Sequence, residues 1–149
     1  TKILLHKWLA IVSIAFVMVL AIAAGIFVVQ PFIDGAALTL TEVAPLLGVS
    51  WLLMVAFGTI PFAAGMVSGR REVAMAAGVI VVIGSFILTT FGQAVEWLAD
   101  FEKLSLLYYF PANDIMRNGV HWPDAAVLGS ITAGLLLLSL AVFRTRDVH

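Results

Sequence analysis

The chain has 149 residues, of which 62% are hydrophobic and only 11% charged, and its mean hydropathy is +1.11. A soluble domain is roughly 45–50% apolar and about 25% charged, so this composition excludes a water-soluble globule and places the chain in a membrane. The net charge of -1 sets up no field for nucleic acid, and the absence of cysteine excludes disulfides, thiolate metal sites and cysteine nucleophiles.

The first apolar segment covers 8–29. Its opening, "TKILLHKWLAIVSIAFVMVLAIAAG", has the basic start and small-residue end of a signal peptide. The apolar run continues through "GIFVV", however, and reaches the roughly 20 residues that a transmembrane helix needs. The second segment, 43–68, contains "GTIPFAAG", which predicts a kink or break near Gly58 and Pro61 and makes that pair a candidate hinge. The third, 73–93, follows directly on "SGRRE", and the fourth covers 125–143. None of the four contains a charged residue, and none alternates as a barrel strand does.

Between the third and fourth segments lies a polar, aromatic stretch, 94–124. Ala94, Trp97, Leu98, Phe101, Leu104, Ser105 and Tyr108 follow helical spacing, with Glu96, Asp100, Glu102 and Lys103 on the other side. This predicts an amphipathic helix lying at the membrane interface, or dipping in and returning. Trp97, Tyr108, Tyr109 and Trp122 suit a belt at headgroup depth. Pro111 marks a fresh helix start, Asn118–Gly119 a stop, and Pro123 with Asp124 the start of the last span.

Charge sets the expected orientation. Lys2, Lys7, Arg70, Arg71, Arg144 and Arg146, six of the eight basic residues, lie before span one, between spans two and three, or after span four. Asp34, Glu42, Glu96, Asp100, Glu102, Asp114 and Asp124 lie in the other connections. The positive-inside rule then puts both termini in the cytoplasm and the 94–124 cap outside. The expected fold is thus a single all-α integral membrane domain, 1–149, with four spans, both termini inside and an external helical cap.

Residues able to do chemistry are few. His6 and His149 are expected on the inner side and His121 on the outer side, which gives neither a haem pair nor a full metal-ligand set. Glu96, Asp100 and Glu102 could attract a cation, but they read as the wet face of the interfacial helix. The spans hold hydroxyls such as Ser13, Ser50, Thr59, Ser85, Thr89, Ser130, Thr132 and Ser139, and no ionisable group of the kind ion-coupled pumps use. Small residues recur four apart at Ala21/Gly25, Gly65/Gly69, Ala74/Gly78 and Ser130/Gly134, a spacing that lets helix backbones approach closely in lipid. There is no phosphate-binding loop, no catalytic constellation and no cofactor ligand set, so an enzyme is not expected.

The tail "LSLLYYFPANDIMRNGVHWPDAAVLGSITAGLLLLSLAVFRTRDVH" resembles the C-terminal end of bacterial permease subunits of ABC-2 type exporters. In that family an aromatic stretch and a short Asn-Gly segment with a tryptophan precede the last span, and the chain ends in F-R-x-R-D, here Phe143, Arg144, Arg146 and Asp147. The tight "SGRRE" turn and the order of spans and cap agree with it. The resemblance implies a subunit of the bacterial inner membrane that surrounds a pathway with a second copy or a relative, driven by ATP hydrolysed on a cytoplasmic partner. It implies that Lys2, Lys7, Arg70 and Arg71 face that ATPase or lipid phosphates, and that the cap forms part of an outer gate. Such permeases usually have six spans. The four here correspond to the last four, so the chain reads as part of a six-span permease or as a shortened relative. The competing expectation is a non-catalytic accessory subunit of a larger membrane complex, such as an electron-transfer or light-harvesting assembly.

Overall fold

The computed structural model of the chain describes residues 2–33, 35 and 38–146, so the expectations placed on Asp34, Asp147 and His149 fall outside the described residues. The described residues are helical, with no strand among them. Helix α1 covers Lys2–Val29, α2 Leu40–Ser68, α3 Arg71–Phe91, α4 Glu96–Ala99, α5 Ala112–Asn118 and α6 Trp122–Arg146, with short 3₁₀ turns between them. Four of these, α1, α2, α3 and α6, are long and apolar enough to cross a membrane. At 1.5 Å per residue the 21 residues of α3, the shortest, span about 32 Å, just over the roughly 30 Å of a bilayer core. The chain is accordingly a multi-pass membrane protein.

Local chemistry sets the helix ends. The Glu42 carboxylate accepts from the Thr39 backbone N–H at 3.0 Å, one half of a capping box that starts α2 three residues before the expected span. Gly69 ends α2 in the left-handed region at φ 67, where its N–H donates to the Gly65 carbonyl. A side chain would strain that conformation, so glycine makes the sharp reversal into α3 possible. The expected break at Pro61 does not occur: α2 is continuous through Pro45 and Pro61, although Pro61 has no N–H to offer the Phe57 carbonyl.

The arrangement is three helices around one. α1, α3 and α6 each pack on α2 and form no comparable interface with one another among the described residues. Close approach occurs where small residues permit it. A Cβ at Gly58 would sit 2.6 Å from Ile11 Cγ2 of α1, and one at Gly65 would sit 3.0 Å from Ala74 Cβ of α3. Gly78 lies against Pro61 one turn further along the same pair. The Gly65 and Ala74/Gly78 positions singled out by spacing therefore form the α2–α3 seam. Gly25 and Gly134 have nothing within 4 Å, so the Ala21/Gly25 and Ser130/Gly134 pairs face outwards.

The cap also departs from expectation. The 94–108 stretch is not a single amphipathic helix but α4 followed by 3₁₀ turns at Glu102–Leu104 and Leu106–Tyr109. The backbone is extended at Ser105, φ -76 and ψ 131, because its hydroxyl is held by α3 and by the following turn rather than by its own helix. Downstream, α5 ends at Gly119 as the Asn-Gly signal predicts.

The α2–α3 seam generates a test. Gly65→Leu forces the helices apart and should lower stability by about 1–3 kcal/mol, whereas Gly25→Leu should leave it unchanged. Denaturation in mixed micelles reads both.

Candidate functional site

The described hydroxyls buried in the spans have partners. Ser13, Ser50, Ser130, Thr132 and Ser139 each donate to the carbonyl four residues back in their own helix. Thr59 does the same to Val55 at 2.7 Å and also accepts from Trp8 Nε1–H at 3.1 Å. Trp51 Nε1–H reaches across in the opposite sense to the Val12 carbonyl at 3.2 Å. The two indoles therefore lace α1 to α2, antiparallel, from either side of the Gly58–Ile11 contact. Among the described residues no buried side-chain nitrogen or oxygen lacks a partner, and no three His, Asp or Glu side chains converge as metal ligands.

The most developed polar site joins the cap to α3. Ser105 is fully buried. Its hydroxyl donates to the Ser85 carbonyl at 2.8 Å, lies 2.7 Å from Thr89 Oγ1 and accepts from the Leu107 N–H at 3.2 Å. Ser85 sits six residues before the end of α3, so the cap tip returns about 9 Å along the helix. There Leu106 joins Ile115 of α5, Leu128 of α6 and Val49, Leu53 and Ala56 of α2 in the buried core. The turn Leu106–Tyr109 thereby fills the space between α3 and α6. Sequence reading counted Ser85 and Thr89 only as span hydroxyls and Ser105 as part of a helical stripe. The usable signal was two hydroxyls four apart on α3 facing a lone serine beside two leucines.

The other expected site residues fall at the two ends of the molecule. Lys2, Lys7, Arg70 and Arg71 are all exposed, and the antiparallel pairing of α1 with α2 and α2 with α3 puts them at one end. Arg144, also exposed, closes α6. At the opposite end Trp97 and Trp122 are 68% and 76% exposed. Tyr108 and Tyr109 meet edge to face with centroids 5.3 Å apart, and the Tyr109 hydroxyl donates to the Lys103 carbonyl at 2.9 Å. His121 Nδ1 pairs with Asp124 Oδ2 at 2.8 Å across the first turn of α6. Gly58 and Pro61 are where α2 touches α1 and α3 respectively.

Between α1 and α3, on the side of α3 away from α6, a groove of about 450 Å³ stays open. α2 floors it with Met54 and Phe57, and Leu107 of the cap closes one side. Comparison with known protein families, with characterised proteins and with solved structures finds no match to this chain.

The cap site makes a sharp prediction. Ser105→Ala removes the buried bond to the Ser85 carbonyl and leaves the half-buried Leu107 N–H without its side-chain acceptor; it should lower stability by about 1–3 kcal/mol, with faster hydrogen exchange across residues 105–110. Ser130→Ala, whose hydroxyl bonds only within its own helix at the surface, should change neither.

Proposed function

We propose that the chain is a transmembrane permease subunit of an ABC-2 type transporter in a bacterial cytoplasmic membrane, with both termini inside and the 94–124 cap outside. It works with further transmembrane subunits, as a homo- or hetero-oligomer, and with an ATPase carried on a cytoplasmic polypeptide. The observation that carries this reading is the folded-back cap. An aromatic, polar segment between the last two spans returns into the helix layer and is pinned there by Ser105, as an outer gate requires. The segregation of charge supports it. Lys2, Lys7, Arg70, Arg71 and Arg144 occupy one end, suited to a cytoplasmic partner or lipid phosphates, while Glu42, Glu96, Asp100 and Asp114 lie at the other.

A second reading is favoured by one specific feature. Among the described residues the core cluster is apolar and the span hydroxyls are spent on backbone carbonyls, so the described part of a single copy lines no polar pathway. For a permease the pathway then lies between copies or between this chain and a relative. For a non-catalytic accessory subunit of a larger membrane complex there is none.

Purification of the native protein in mild detergent, with partner identification by mass spectrometry, separates the two readings. A stoichiometric ATPase that is lost on Arg70→Glu/Arg71→Glu substitution is the expected result, and a large assembly without an ATPase would transfer the assignment to the accessory role. Topology is tested independently, because a chain without cysteine accepts single labels. R70C should react only from the cytoplasmic side and N118C only from the outside; labelling from one side for both would overturn the orientation.

A further inference from the structure

Two spaces flank α3. The one towards α6 is filled by the chain itself, through Leu106 and the turn that carries it. The one towards α1 is open, with Ile14, Met18 and Val82 more than half exposed along its lips. Three features distinguish what would enter it. First, its lining is entirely apolar, so it offers nothing to a headgroup, an ion or a polar solute. Second, it follows α1 from Ile11 to Met18, about 10 Å or two helical turns. A partner helix crossing the bilayer would need a seat of about 30 Å, roughly three times that length. Third, helices in membranes meet at small residues, as α1 meets α2 at Gly58 and α2 meets α3 at Gly65 and Gly78. The groove contains no glycine, and its one alanine, Ala15, is already buried beneath flexible methionine and isoleucine side chains. Such a surface moulds itself around a thin, deformable apolar occupant.

We propose that the groove between α1 and α3 is a binding site for an acyl chain of a bilayer phospholipid. The lipid enters laterally between the two helices, which do not pack on each other, and its headgroup stays at the interface. Leu107 makes the site more than a solvated surface. Its side chain lines the groove and its N–H donates to the Ser105 hydroxyl, so an acyl chain in the groove bears on the same turn that α3 holds through Ser85 and Thr89. Occupancy therefore steadies the cap. This inference rests on the membrane-spanning fold alone and stands whether or not the chain belongs to a transporter.

The full chain is reconstituted in vesicles of phosphatidylethanolamine and phosphatidylglycerol that contain a phosphatidylglycerol with a diazirine in its acyl chain, then photolysed and mapped by mass spectrometry. Attachment around Met18, Met54 and Val82 should exceed that around Ile80, an equally apolar but outward position of α3, by several-fold. Val82→Trp, which fills the groove from its exposed lip, should abolish the excess and accelerate hydrogen exchange at residues 105–110, while Ile80→Trp should do neither. Equal attachment at all these positions would reduce the groove to ordinary lipid solvation and overturn the proposal. In native membranes, photo-reactive methionine at positions 18 and 54 provides the opposing arm. Crosslinks to lipid are expected, and crosslinks to a protein would assign the groove to a partner helix instead.

Discussion

The fold depends on the close approach of α2 to its neighbours. In a bilayer the lipid tails are as apolar as the side chains, so burying leucine against leucine gains little, and helices are held by van der Waals contact and by the few polar bonds that lipid cannot replace. Here those contacts concentrate on α2. Gly58 admits Ile11 of α1, and Gly65 and Pro61 admit Ala74 and Gly78 of α3. The Trp8–Thr59 and Trp51–Val12 bonds then fix the register of α1 along α2. Each bond of this kind contributes about 0.6 kcal/mol on average. They select a register; the packing supplies the affinity.

A second consequence of the bilayer is the economy with which polar groups are used. An unsatisfied backbone or hydroxyl group in hydrocarbon is costly, so a segment that leaves helical geometry within the bundle must find protein partners. The cap does this through Ser105 and through the Leu106 N–H, which donates to the Ser85 hydroxyl at 3.4 Å. Ser105 satisfies its own hydroxyl on the Ser85 carbonyl, takes the Leu107 N–H and shares a bond with Thr89. That set of bonds lets Leu106 reach the core shared by α2, α5 and α6 and places Leu107 at the edge of the open groove. Core, cap and groove thus meet at two consecutive residues, Leu106 and Leu107.

For function, the asymmetry of the two ends matters more than any single side chain. One end carries exposed cations on three separate helices, and the other carries aromatic residues, carboxylates and a folded cap. Between them lies an apolar core cluster, with buried hydroxyls bonded to backbone carbonyls. The surfaces this leaves exposed are the basic end, the outward faces of α1 and α3, and the aromatic end that carries the cap.

How much of this could be read from the residues follows from range. Composition and uninterrupted apolar runs determined the four long helices, because crossing a bilayer requires length and apolarity that local sequence alone supplies. The Asn118–Gly119 stop and the Pro123–Asp124 start were legible for the same reason, each being a signal within a few residues; the Thr39–Glu42 cap is equally local, and it extends α2 three residues before the expected span. The stripe from Ala94 to Tyr108 has helical spacing but does not form one helix, because α3 offers Ser105 a better partner than its own turn. Likewise Pro61 marked a place where α2 is weak, while α1 and α3 pressed against both sides of it decided that the helix stays continuous. The sequence by itself determined the four long apolar helices and where charge falls along the chain. Tertiary structure alone decided that α2 lies at the centre, that the cap turns inward and that a groove stays open beside it. Those depend on which small residues and hydroxyls meet across helices far apart in the chain, and no local pattern encodes such meetings.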